Sequence, residues 1–129
     1  MGGSGENLFV IKSMHVERDP KEPGRYWIWL KIHSQIKTVA RIDASLVEDP
    51  SKDFKKDGGK GKTSIFMGHH GLKVGKNDLP PLPLDFHKDA LERNLVVNFE
   101  VRSIRHPYAF YATFSIVGPG VDIRGQLEE

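Results

Sequence analysis

The ten residues Arg25–Ser34, RYWIWLKIHS, repeat with a period of two: Tyr26, Ile28, Leu30 and Ile32 fall on one side of an extended chain, and Trp27, Trp29, Lys31 and His33 on the other. A helix has no use for that spacing, because its faces recur every 3.6 residues or so. The same habit runs through the rest of the chain. Thr38, Ala40, Ile42 and Ala44 oppose Val39, Arg41 and Asp43 within residues 36–47. Leu95, Val97, Phe99 and Val101 alternate with Asn98, Glu100 and Arg102, which puts Glu100 and Arg102 on one solvated face as a pair. Tyr108, Phe110, Ala112, Phe114 and Ile116 alternate with Tyr111, Thr113 and Ser115. Residues 7–17 are shorter and apolar on both sides, with Phe9 and Ile11 set against Leu8, Val10 and Lys12. Residues 64–67 and 72–74 read as brief strands around a Gly68-His69-His70-Gly71 turn, and 121–127 as a last short strand.

Between the strands the punctuation is chemical. RDPKEPG at 18–24, Arg105-His106-Pro107 and Gly118-Pro119-Gly120 are turn sequences. Pro80, Pro81 and Pro83 keep residues 77–85 extended yet unfit for a central strand. Only residues 85–94, DFHKDALERN, suit a helix, with Asp85 as its cap, Phe86 and Leu91 facing inward and Asn94 ending it. One short helix cannot supply the crossovers of a parallel sheet. The expectation is a single all-β domain over residues 6–129, an antiparallel β-sandwich of about seven or eight strands, with a β-barrel as the alternative. Residues 1–5, MGGSG, read as a flexible linker-like lead.

Composition removes whole classes of function. With no cysteine among 129 residues, disulfide scaffolds, zinc ribbons and thiolate nucleophiles are out. No apolar run approaches the roughly 20 residues of a membrane helix, and no basic-then-apolar export signal is visible, so the expected compartment is the cytoplasm. A net charge of +2 gives no argument for specific nucleic-acid binding.

The cations are nevertheless uneven. Lys52, Lys55, Lys56, Lys60, Lys62 and Lys73 lie within 51–75, a stretch that also holds six of the thirteen glycines. DGGKGKTS at 57–64 resembles the core of a phosphate loop, but Lys56 stands where the first glycine belongs and SIFM follows in place of a helix. The segment reads as a solvated loop in which Lys60 and Lys62 can touch an anionic partner through charge alone. Six histidines show no HxH, HxxxH or HExxH spacing, and adjacent His69 and His70 point apart on a strand, so no metal or other cofactor is expected. No GxSxG elbow is present, and the carboxylates Asp43, Asp49, Asp85 and Glu100 are scattered, so no catalytic set emerges.

Both tryptophans of the chain sit two residues apart on the polar side of the 25–34 strand, in phase with Lys31 and His33. Indoles on a sheet surface bind sugar rings or another protein through a large apolar area carrying one N–H donor. Buried instead, they need a cover, for which LPPLPLDF at 79–86 is the natural candidate. The strand connection Arg105-His106-Pro107-Tyr108 adds charge, imidazole and phenol. The expected function is a non-enzymatic binding module for a carbohydrate or protein partner, using Trp27, Trp29, Lys31 and His33 with Arg105, His106 and Tyr108. The alternatives are a self-assembling or accessory structural protein with this face as its homo-oligomer interface, and a small hydrolase with a histidine or carboxylate site.

Overall fold

The computed structural model describes residues 7–47, 54–55, 61–62, 64–117 and 122–128. Two antiparallel sheets face each other. The first is built on β1 (Phe9–Arg18) and β2 (Arg25–Ser34); the far edge of β2 carries β7 (Gly75–Asp78) and then β8 (Leu82–Asp85), one beyond the other. The second holds β6 (Ser64–Leu72), β3 (Thr38–Leu46), β9 (Leu95–Ser103), β10 (Ala109–Val117) and β11 (Asp122–Arg124), in the order β11-β10-β9-β3-β6. A two-residue pair, β4 (Phe54–Lys55) and β5 (Gly61–Lys62), forms a ladder of its own. The sandwich is the expected class, and the sheets do not close into a barrel.

The period-two faces become the core. Tyr26, Ile28, Leu30 and Ile32 meet Ala40, Ile42, Ala44, Val97, Phe99, Val101, Phe114 and Ile116, all essentially without solvent contact. Proline confines 77–85 to an edge as its chemistry requires, but the segment makes two strands, because the break at 79–81 takes Pro80 and Pro81 out of the ladder.

Three local readings need correction. Residues 64–72 form one continuous strand with no turn at Gly68-His69-His70-Gly71: Arg41 pairs with His69 and Asp43 with Phe66, so two residues bulge opposite Ile42. Gly68 makes the bulge possible at φ +103°, a conformation that residues with a side chain rarely adopt. The expected helix is a 3₁₀ turn, Lys88–Glu92, preceded by His87 with no side-chain cap. Asp85 does not cap it, because its carboxylate takes a two-point ion pair from Arg25, Nε to Oδ1 at 2.7 Å and Nη2 to Oδ2 at 3.1 Å. Phe86 and Ala90 are buried there, Phe86 edge-on to Tyr26. Glu100 takes its hydrogen bond from the Tyr111 hydroxyl at 2.9 Å, while Arg102 stands opposite Arg41 and Ala109.

Two ties hold the sheets together at β1. Tyr108 sets its ring edge-on against Phe9, 4.8 Å between centroids, and donates its hydroxyl to the Phe9 carbonyl at 2.6 Å. Past β11 the chain crosses to the outer edge of β1: Met14 and Leu127 exchange backbone hydrogen bonds of 2.9 and 3.1 Å, and the Val16 N–H reaches Gln126 Oε1 at 2.7 Å. Around Met14 and Val16 that edge is therefore already engaged.

Candidate functional site

β2 turns one face to the core and the other outward, and its outward row is Trp27, Trp29, Lys31 and His33. The two indoles are in different circumstances. Trp27 lies between Glu17 of β1 and Pro83 of β8 in the sheet register, so the proline segment flanks the indole as a neighbouring strand and does not roof it. The Arg25 guanidinium sits 5.8 Å from the ring centroid, and the Trp27 indole N–H donates to Asp19 Oδ2 at 2.8 Å. Trp27 has its one polar group committed within the fold.

That bond has a pH signature. The Trp27 N–H, and after it the Lys21 and Glu22 amides, hold the Asp19 carboxyl below its ordinary value of 3.8. A carboxylate with a depressed folded-state value stabilises the fold above the unfolded value and loses that contribution as pH falls through the folded one. In a Trp29→Phe protein, where Trp27 is the sole indole, acid titration is expected to shift the emission with a midpoint below 3.8, and Asp19→Asn to remove the step. A midpoint at or above that value contradicts the bond.

Trp29 is half-buried, its ring 5.6 Å from that of His15 on β1, and its N–H has no acceptor among the described residues. On its other flank the partner strand is interrupted between Asp78 and Leu82, where Pro80 and Pro81 are exposed. Next along β2, Lys31 pairs in register with Asp78 and His33 with Lys76. On the β1 side the ladder slips between Ile11 and Ser13, leaving Lys12 as the extra residue of a bulge. Lys12, Lys31, His33, Lys76 and Asp78 line a cleft of about 170 Å³ immediately beyond Trp29. Three ammonium groups against one carboxylate make it electropositive, and Trp29 precedes Lys31 in the same outward row of β2.

The Arg105–Tyr108 connection belongs elsewhere. The Ser103 hydroxyl accepts the Arg105 and His106 amides at 3.3 and 3.2 Å and lies 3.3 Å from His106 Nδ1 and 3.0 Å from Thr38 Oγ1. Ser103 and Thr38 are buried, so this Ser–His contact organises a turn. Tyr108 spends its hydroxyl on Phe9. Arg105 lines a second, larger hollow of about 530 Å³ at the end of the sandwich, which meets the first cleft only through Asn77. Lys60 and the Lys62 side chain lie outside the described residues.

Asp49 lies outside the described residues, and the other carboxylates and the adjacent histidines are committed to local contacts. Asp43 and Glu100 do face each other across β3 and β9, but Asp43 holds Arg41 by two hydrogen bonds of 2.9 and 3.2 Å and Glu100 holds Tyr111. His70 Nε2 lies 3.1 Å from the Met67 carbonyl across the bulge, and His69 rests on Phe66. Among the described residues no three His, Asp or Glu side chains converge as metal ligands. No helix among them is long and apolar enough to cross a membrane.

No protein-family model matches the chain, and no curated protein matches its sequence. Among solved structures, the crystal structure of a FixG-related protein from Vibrio parahaemolyticus is similar with a TM-score of 0.52 at 16% identity, over 87% of this chain and 97% of that one. The solution structure of CsgH from R. palustris aligns with a TM-score of 0.35 at 9% identity, over 88% and 92% of the two chains. What the chain shares with the FixG-related protein, at that identity, is its fold.

Proposed function

We propose that the protein is a non-enzymatic binding module that takes an acidic carbohydrate on the outer face of its four-stranded sheet, one sugar ring stacked on Trp29 and its anionic group in the Lys12–Lys31–His33–Lys76 cleft. The observation that carries this reading is the contrast between the two indoles: Trp27 has its N–H bound to Asp19, whereas Trp29 keeps its donor available beside an electropositive cleft. A sugar needs an apolar platform, donors and acceptors at its rim, and a charge opposite its own. Asp78 adds the acceptor for a ring hydroxyl. A cleft of about 170 Å³ is of single-ring size.

Calorimetric titration with oligogalacturonate and with heparin-derived oligosaccharides tests it. At least one is expected to bind, Trp29→Ala to weaken it about tenfold, roughly 1.4 kcal/mol, and Trp27→Phe to leave it nearly unchanged. Equal losses from the two substitutions, or no binding of either sugar class, overturns the reading. A concentration-stable dimer with Trp29 shielded from acrylamide would instead assign this face to a subunit interface.

A further inference from the structure

The larger hollow lies where three connections meet: β2 to β3, β6 to β7 and β9 to β10. Its cations are Lys37, Lys73 and Arg105, one from each connection, and its lining holds no carboxylate. All three are exposed, and none is ion-paired among the described residues. Its uncharged lining is Val39, Gly71 and Leu72, with Thr38 and Asn77. Val39 stands in register beside Gly71 on β6, and on its other side accepts the Ile104 amide at 3.0 Å. Val74 and Ile104, on two of the same connections, are 65% and 51% exposed. A Cβ built on Gly71 meets no heavy atom within 4 Å, so the space above this residue is open.

We infer that this end of the sandwich is a docking site for a short acidic peptide segment bearing an apolar side chain. The chemistry of the hollow selects that occupant. Arg105 offers a planar fork suited to two-point bonding of a carboxylate, and Lys37 and Lys73 act as point charges. Inorganic phosphate satisfies those cations but leaves Val39 in water. A neutral apolar segment covers Val39 but strips water from three charges with nothing in exchange. Alternating acidic and apolar residues meet both demands at once, with the apolar side chain over Val39 in the space that Gly71 leaves. The hollow shares Asn77 but none of its cations with the smaller cleft, so different substitutions test the two readings.

The test is fluorescence anisotropy of a rhodamine-labelled Asp-Leu-Glu-Asp-Leu-Glu peptide at low ionic strength, with Asp-Ser-Glu-Asp-Ser-Glu as the charge-matched control. The leucine peptide is expected to bind at least about tenfold more tightly than the serine peptide. Gly71→Phe is the decisive variant: its φ is outside the left-handed range and its Cβ direction is open, so the ring fills the hollow without disturbing the strand. Gly71→Phe and Arg105→Glu are each expected to lower affinity about tenfold, with circular dichroism unchanged, and Trp29→Ala to leave it as it was. Equal binding of the two peptides, full displacement by inorganic phosphate at matched charge, or wild-type affinity in Gly71→Phe would falsify the proposal.

Discussion

Phe99→Ala is expected to lower the stability of the fold by about 3–5 kcal/mol, within the range of buried phenylalanine truncations. Phe99 is wholly buried on β9, which has β10 on one side and β3 on the other, and its ring stacks on Phe114 at 5.6 Å between centroids. The cost belongs at the top of the range because the site cannot collapse. The residues beside Phe99 in register are Ala44 and Ala112, too small to lean into the void, and ladder hydrogen bonds on both flanks hold their strands at fixed spacing. Urea unfolding checks this, with a melting temperature roughly 10–20 °C lower as the thermal counterpart. Val96→Ala, on the same strand at 39% exposure, is the control and is expected to change stability by only about 0.5 kcal/mol. A Phe99→Ala loss no greater than that of the control would mean that the two sheets do not close on this ring.

The strands that were legible in the sequence are those whose alternation is never interrupted. β2, β3, β9 and β10 each keep one parity of residue inside from end to end. β1 and β6 were blurred for a single physical reason: each contains a bulge, and an inserted residue exchanges the two faces of everything beyond it. In β1 the buried set runs Phe9 and Ile11, then Met14 and Val16, which in sequence looks apolar on both sides. In β6 the glycine at the bulge carries the same left-handed signature as a turn, and nothing local separates the two. The helix expected at 85–94 failed differently. Asp85 is a sound cap by local rules, but its carboxylate is claimed by Arg25, sixty residues away in sequence and its direct partner in the sheet.

The candidate site divides along the same line. That Trp27, Trp29, Lys31 and His33 share one face follows from period alone. Which other groups stand beside them depends on register: Lys76 and Asp78 arrive with β7, and Lys12 with the bulge in β1. The difference between the two indoles was equally hidden, since it turns on Asp19 in the β1–β2 loop folding back onto Trp27. Tyr108 and His106 carry functional chemistry on a loop, yet the same donors and acceptors that suit a ligand also fasten a strand connection. Arg105, their neighbour, is the member of that loop left facing a hollow.

Asn77→Ala is expected to cost about 2–3 kcal/mol and to weaken both candidate sites together. Asn77 is 8% exposed, and its side chain is surrounded by backbone: Oδ1 accepts the Lys73 N–H at 2.9 Å, and Nδ2 faces the carbonyls of Lys73, Gly75 and Ile32 at 3.0, 3.1 and 3.3 Å. Through these bonds one amide fixes the β6–β7 connection and ties it to the end of β2. Lys73 begins that connection and Lys76 follows it on β7, in the larger hollow and the smaller cleft respectively, and Asn77 lines both. Alanine removes every bond, leaving the connection to sample other shapes and the two lysines without a fixed origin. Aspartate is the sharper control: it keeps the acceptor for Lys73 but turns a carboxylate oxygen on three carbonyls, so at neutral pH Asn77→Asp is expected to be less stable than Asn77→Ala. Urea unfolding ranks the variants, and amide spectra are expected to show shifts concentrated at residues 72–79 and around Ile32. Were Asn77→Ala to retain wild-type stability and both affinities, the connection would be held by its strand ladder alone, and the two electropositive sites would have no common support.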